Sequence, residues 1–122
     1  MTPTEKVKQK LVHMVTGETV TDVVELQRRL SELAEDDSLH DAERKLRSSG
    51  VPTGLPCEYS RHYSSQAVAA EMLDGSWVGW TYWYGGGKHG EPGAIEWVDD
   101  AYDVDVTVVT EPVHKFTKRE PT

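Results

Sequence analysis

Ser65-Gln66-Ala67-Val68-Ala69-Ala70-Glu71-Met72-Leu73-Asp74-Gly75-Ser76-Trp77-Val78-Gly79-Trp80-Thr81-Tyr82-Trp83-Tyr84 places two runs of strand-forming residues on either side of Asp74-Gly75. That dipeptide suits the positive backbone angles of a two-residue type I′ turn, so a β-hairpin is expected from about Glu58 to Tyr84. With Asp74 and Gly75 as the whole loop, Leu73 faces Ser76. One face then carries Met72 with Trp77 and Val68 with Thr81, and the other carries Glu71 with Val78, Ala69 with Trp80 and Ser65 with Tyr84. Small residues oppose large ones, which lets rings lie across the neighbouring strand. Both faces are aromatic, so both are expected to be covered.

At the open end of the hairpin this register sets Tyr63 opposite Gly86 and Arg61 near Lys88, where Gly85-Gly86-Gly87-Lys88-His89-Gly90 begins. Two cations opposed on a strand pair are unfavourable unless something negative lies between them. Ordering glycine costs about 1 kcal/mol per residue relative to alanine, a cost best understood where amides approach a ligand or the chain turns sharply. Two readings follow. In one, the glycines form a wide turn, Lys88 is solvated and Arg61 pairs with an acid such as Glu91. In the other, Arg61, Lys88, His89 and the amides of Gly85, Gly86 and Gly87 cradle an anion beside Glu91, with Tyr63, Trp80, Tyr82 or Tyr84 as a stacking wall. The segment lacks the spacing of a Walker motif.

The first 50 residues contain no Trp or Tyr and read as helices. Thr2-Pro3-Thr4-Glu5 offers a capping box with proline at the first helical position, Val7, Leu11, Met14 and Val15 follow at helical spacing, and Gly17 can end the helix. A second start at Thr19 or Thr21 leads into Val23, Leu26, Leu30 and Leu33, a narrow apolar seam that wants a partner helix. A homo-oligomer through those four residues is expected; an intramolecular helical hairpin is the other solution. Ser38-Leu39-His40-Asp41 resembles a capping box for a third helix that stops before Gly50. Val51 to Pro56 is then a connector that can support neither helix nor inner strand.

After the hairpin, Glu91-Pro92 can open a short helix placing Ile95, Val98 and Tyr102 on one side. Asp103 to Thr110 alternates as a strand, and Val113 to Lys118 forms a further one beyond Pro112. The fold class expected is α+β: two to three N-terminal helices followed by a small, mainly antiparallel four-stranded sheet. The 122 residues form a single domain, with a helical part over 1–50 and a strand-rich part over 56–120.

Composition narrows the function. A net charge of −8 opposes general nucleic-acid binding, which needs excess lysine and arginine. No apolar run can cross a bilayer, and Met1 to Lys6 lacks a secretory pattern, so a soluble, cytoplasmic protein is expected. The one cysteine, Cys57, excludes internal disulfides and reads as a buried thiol. Six acids and no Lys or Arg lie between Glu91 and Asp105. Asp99, Asp100, Asp103 and Asp105 do not match a calcium loop; they form a solvated face or a surface for a basic partner. Lys115, Lys118 and Arg119 either complete an anion pocket or guard a sheet edge. No nucleophile elbow occurs, and His62, His89 and Glu91 have only generic spacing, so neither enzyme activity nor a cofactor or metal is expected.

The run Trp77 to Pro92, with Arg61-His62-Tyr63 before it, resembles small accessory proteins of bacterial phages and prophages over about residues 58–105. In plan the chain is similar to the Thoeris anti-defence sponges: helical N-terminal part, strand-rich C-terminal part, oligomeric assembly, and pockets of arginine and aromatics that sequester a cyclic ADP-ribose signal. The resemblance implies a non-enzymatic binder of an anionic nucleotide immune signal. The alternative is a protein-binding inhibitor of a host defence complex, of anti-CRISPR or anti-restriction type, acting through the four aspartates.

Overall fold

The computed structural model describes residues 1–85, 92, 95–107, 116 and 118. Three helices, α1 (Pro3–Thr16), α2 (Val23–Leu33) and α3 (Asp37–Ser49), precede an antiparallel sheet of β1 (Val51–Pro52), β2 (Ser64–Glu71), β3 (Trp77–Tyr84) and β4 (Tyr102–Val104), paired in chain order. This is an α+β fold with the expected number of helices and strands. None of the described helices is long and apolar enough to cross a membrane.

The local signals act as anticipated in α1. The Thr2 hydroxyl accepts from the Glu5 amide at 3.2 Å, the Glu5 carboxylate accepts from the Thr2 amide at 2.8 Å, and Gly17 ends the helix at φ 78°. The other two helices start elsewhere than the hydroxyl residues suggest. Asp22 caps α2, not Thr19 or Thr21, and Asp36 caps α3, not Ser38. A carboxylate at the cap accepts from the free amides and also complements the positive end of the helix dipole, which a hydroxyl does not.

The seam on α2 is engaged within the chain. Leu26 is buried with Val12 of α1 and with Val20, Leu30 and Leu33 pack against that cluster, and Val23 is half-buried. The Gln9 side-chain amide donates to the Val20 carbonyl at 2.9 Å and ties the connecting segment to α1.

The hairpin forms where expected, but its register is one residue different. Ser64 pairs with Tyr84, Val68 with Trp80 and Glu71 with Trp77. The loop is the three-residue Leu73-Asp74-Gly75: the Met72 amide donates to the Ser76 carbonyl at 2.7 Å, and Gly75 adopts φ 85°. A type I turn followed by a left-handed glycine is the standard three-residue solution, and the Asp74 carboxylate accepting from the Ser76 amide at 2.9 Å holds it. Even-numbered residues of both strands therefore share one face, and odd-numbered residues share the other.

The even face packs under α1 and α3. Val68, Ala70, Val78 and Trp80 join Val7 and Leu11 of α1 and Leu39, Ala42 and Leu46 of α3 in one core, together with Met72, Trp97 and Val98. Trp80 is 0 % exposed, and its indole N–H donates to the Arg47 carbonyl at 3.2 Å. That carbonyl belongs to the last turn of α3, where no helical amide follows to meet it. Directly after α3 the chain crosses the core so closely that a Cβ on Gly50 would lie 2.7 Å from Val68 Cγ2 and 3.0 Å from Trp80 Cζ2. Gly50 is thus required by packing, since its φ of −63° suits any residue.

On the odd face, Ala67 and Ala69 are buried, and the Tyr102 ring of β4 lies over Gly79. Beyond the hairpin, several expectations change. Tyr102 belongs to β4 and not to a helix; one turn closed by the Ile95 amide on the Pro92 carbonyl (3.2 Å) leads into buried Trp97 and Val98. Of the strand expected over Asp103 to Thr110, the described part is strand at Tyr102 to Val104 and not at Asp105 to Thr107; residues 108–110, and all but Phe116 and Lys118 of the further strand expected over Val113 to Lys118, lie outside the described residues. β2 begins at Ser64, so the expected extension back to Glu58 is not strand either. There the Ser65 hydroxyl donates to the Glu58 carbonyl at 2.6 Å, holding residues 56–58 beside the sheet. The remaining strand is β1, two residues at the sheet edge, where Pro52 needs no ladder amide.

Glu43 of α3 is half-buried, and that burial pushes its carboxyl above the usual range, with His40 opposing the shift and Glu96 adding to it. A raised carboxyl means the folded chain holds the proton more tightly than the unfolded one, so stability is greatest below the unfolded value and is lost as pH rises through the folded one. Glu43→Gln should therefore raise the melting temperature at neutral pH, and the gain should vanish towards about pH 4, where the unfolded glutamate is itself protonated. Thermal melts of both proteins across that interval check it.

Candidate anion-binding cleft

The Ser64–Tyr84 pair is the last rung of the hairpin, and beyond it the chain leaves β2 through the bend at Arg61, His62 and Tyr63. Arg61, His62 and Tyr63 line one cleft with Tyr59, Ser60, Ser64, Ser65 and Tyr84, with a volume of about 520 Å³. Three of the sequence-predicted residues, Arg61, Tyr63 and Tyr84, are thus brought together. Gly85 adjoins them at φ 75°, a left-handed conformation that favours glycine at the point where β3 ends. Gly86, Gly87, Lys88, His89 and Glu91 lie outside the described residues, as do Lys115 and Arg119; Lys118 is exposed.

Arg61 is exposed and makes no ion pair with a described carboxylate. Tyr84 is 43 % exposed, and its ring stacks on that of Tyr82 with centroids 5.7 Å apart and planes at 21°. The Arg47 guanidinium lies 4.6 Å over the Tyr82 ring and donates to the Trp83 carbonyl. Tyr82 therefore supports Tyr84 from behind and does not line the cleft itself. Arg47 is a component that sequence reasoning missed. Its only local signal was a basic residue in the last turn of α3, the ordinary complement to a helix dipole.

Two expectations are corrected by burial. Trp80 cannot be a stacking wall, because its ring is enclosed in the core and its indole N–H is already bonded. Cys57, expected as a buried thiol, is exposed, with its Sγ donating to the Ser65 hydroxyl at 3.5 Å; it lies on the irregular segment before β2 and not in a strand.

The acids downstream are spread along the chain surface. Asp99, Asp100 and Asp105 are exposed, while Asp103 pairs with Lys6 of α1 at 3.0 Å. The Glu96 carboxylate accepts from the amides of Val98 and Asp99 at 2.8 and 3.1 Å, shaping the turn that carries them. Among the described residues no three histidine, cysteine or carboxylate groups converge as metal ligands. Compared with known protein families, curated proteins and solved structures, the chain finds no match in any of the three.

Proposed function

We propose that this protein is a non-enzymatic, cytoplasmic binder that sequesters an anionic nucleotide signal in the cleft between Arg61 and Tyr84, a role in keeping with its resemblance to phage anti-defence proteins. The observation that carries the reading is the meeting of a guanidinium that pairs with no described carboxylate and two tyrosines, Tyr63 and Tyr84, in one cavity of about 520 Å³. Small-molecule sites commonly span roughly 300–1,000 Å³. Arginine supplies the charge-assisted hydrogen bonds that phosphate needs, and a braced tyrosine supplies a plane for a base. The hydroxyls of Ser60 and Ser64 add neutral donors at the same wall.

Isothermal titration with cyclic ADP-ribose isomers and cyclic oligonucleotides tests it. One of these ligands should bind and be recovered chemically unchanged by chromatography. Arg61→Ala should weaken that binding about tenfold or more, since a hydrogen bond to a charged group contributes about 1.5–3 kcal/mol. Absence of heat across the whole panel sinks the proposal. The exposure of Asp99, Asp100 and Asp105 favours a second reading, a protein-binding inhibitor acting through that acidic surface. The same titrations separate the two, because such an inhibitor gives no heat with any nucleotide.

A further inference from the structure

Asp74-Gly75 is the one Asp–Gly pair in the chain, which contains no asparagine. In such a pair the glycine amide can attack the preceding side-chain carboxyl, because glycine has no Cβ to obstruct the approach. The Gly75 nitrogen then bonds to Asp74 Cγ, the amide proton and the carboxyl hydroxyl leave as water, and a succinimide ring results. Water reopens the ring at either carbonyl. One opening restores aspartate, and the other routes the chain through the side chain as isoaspartate. Water is the only co-reactant, and no electrons change hands.

Asp74 and Gly75 are both exposed, so water reaches the loop, and nothing lies within 4 Å of the position a Cβ would take on Gly75. Solvent and space therefore permit the reaction, and hydrogen bonding opposes it. Asp74 Oδ1 accepts from the Ser76 amide at 2.9 Å and from the Ser76 hydroxyl, which ties the carboxyl to the residue beyond the glycine. The attacking group is committed as well, since the Gly75 amide donates to the Met72 carbonyl at 3.0 Å. The Ser76 hydroxyl, and after it the Ser76 amide, hold the Asp74 carboxyl below its ordinary value, and a carboxylate cannot lose its oxygen as water until it is protonated. Ring closure requires the carboxyl to leave Ser76 while the amide leaves Met72.

We propose that Asp74 is a site of spontaneous isomerisation to isoaspartate, and that the Ser76 hydroxyl sets its rate by holding the carboxyl in the closed loop. The product carries one more atom in the main chain between residues 74 and 75. Leu73-Asp74-Gly75 is the loop that sets how β2 faces β3, so isomerisation loosens the hairpin at its closed end. The nucleotide cleft lies beyond the opposite end and shares no residue with this loop.

The test incubates the intact, folded protein for weeks at neutral pH in water enriched in the heavy isotope of oxygen. Each ring opening adds one solvent oxygen, so the peptide holding Asp74 gains mass whichever product forms. A protease that cuts before aspartate but not before isoaspartate then distinguishes the products. Ser76→Ala should label Asp74 about fivefold faster than the parent, the factor expected for loss of one exposed hydrogen bond, and part of its product should be isoaspartate. Ser76→Thr, which keeps the hydroxyl, should stay near the parent. Trp80→Phe, which weakens the core and leaves the loop intact, should label at the parent rate, because the reaction needs only local opening of the turn. The isomerised protein, separated by ion-exchange chromatography, should melt below its unmodified counterpart. Equal labelling of the parent and Ser76→Ala, equal acceleration by threonine and alanine, a rate in Trp80→Phe that rises as much as in Ser76→Ala, or aspartate as the sole product would each overturn the proposal.

Discussion

Trp80→Ala should cost about 3–5 kcal/mol in equilibrium denaturation, among the largest effects of any single side-chain truncation in the chain. The ring is wholly enclosed where α1, α3 and the even face of the sheet meet, and Trp97 packs on it at 5.0 Å. Truncation opens a cavity lined by side chains from separate elements, which cannot all collapse inward together. Domains of this size have a total stability of about 5–15 kcal/mol, so the variant should be near its unfolding threshold at physiological temperature. Trp80→Phe separates packing from hydrogen bonding. It restores much of the volume but leaves the Arg47 carbonyl without its donor, and it should recover only part of the loss, with about 1–3 kcal/mol still missing. Urea titration followed by circular dichroism measures all three proteins. A Trp80→Ala midpoint close to that of the parent would contradict the assignment of this ring to the core.

Gly79→Ala should destabilise by about 1–3 kcal/mol, an unusually large penalty for one methyl group in a strand. Alanine ordinarily suits a strand at least as well as glycine. Here the added Cβ would lie 2.8 Å from Cε2 of Tyr102 and 2.9 Å from Cγ2 of Val104, closer than side-chain contacts allow. β4 is joined to the sheet by only three residue pairs, from Trp77–Val104 to Gly79–Tyr102, so it has little pairing with which to resist displacement. The penalty should couple to the ring: Gly79→Ala in a Tyr102→Ala background should cost clearly less than it does alone, because residues in contact are non-additive. Additive losses in that double-mutant cycle would place the strain elsewhere.

The parts of the fold that depend on near neighbours were legible. The capping box at Thr2, the stop at Gly17 and the hairpin at Asp74-Gly75 each arise from a side chain and a backbone group a few residues apart. The hairpin register was not legible, because Leu73 could belong to either strand or loop. One residue of loop length changes which side chains share a face, so Trp80 lies across from Val68 and not from Ala69. In the candidate cleft, Arg61, Tyr63 and Tyr84 stood out as a cation and two rings at the open end of a hairpin, but Trp80 and Tyr82 stood out equally and do not line it. Arg47 did not stand out, because what joins it to Tyr82 is the docking of α3 beside β3, a contact between residues 35 positions apart.

Local chemistry in the chain was enough to set where α1 begins and ends, to place the turn, and to yield an α+β order of elements. Aromatic residues alternate on both faces of the hairpin, and nothing nearby in the chain distinguishes Trp80 from Tyr84. Trp80 and Tyr84 share the even face, and how far along it α1 and α3 reach decided that Trp80 is core and Tyr84 is surface, while the approach of Val68 and Trp80 to Gly50 and of β4 to Gly79 decided that both must be glycine. Burial is a property of distant segments meeting, and it acts on a side chain only once those segments are in place.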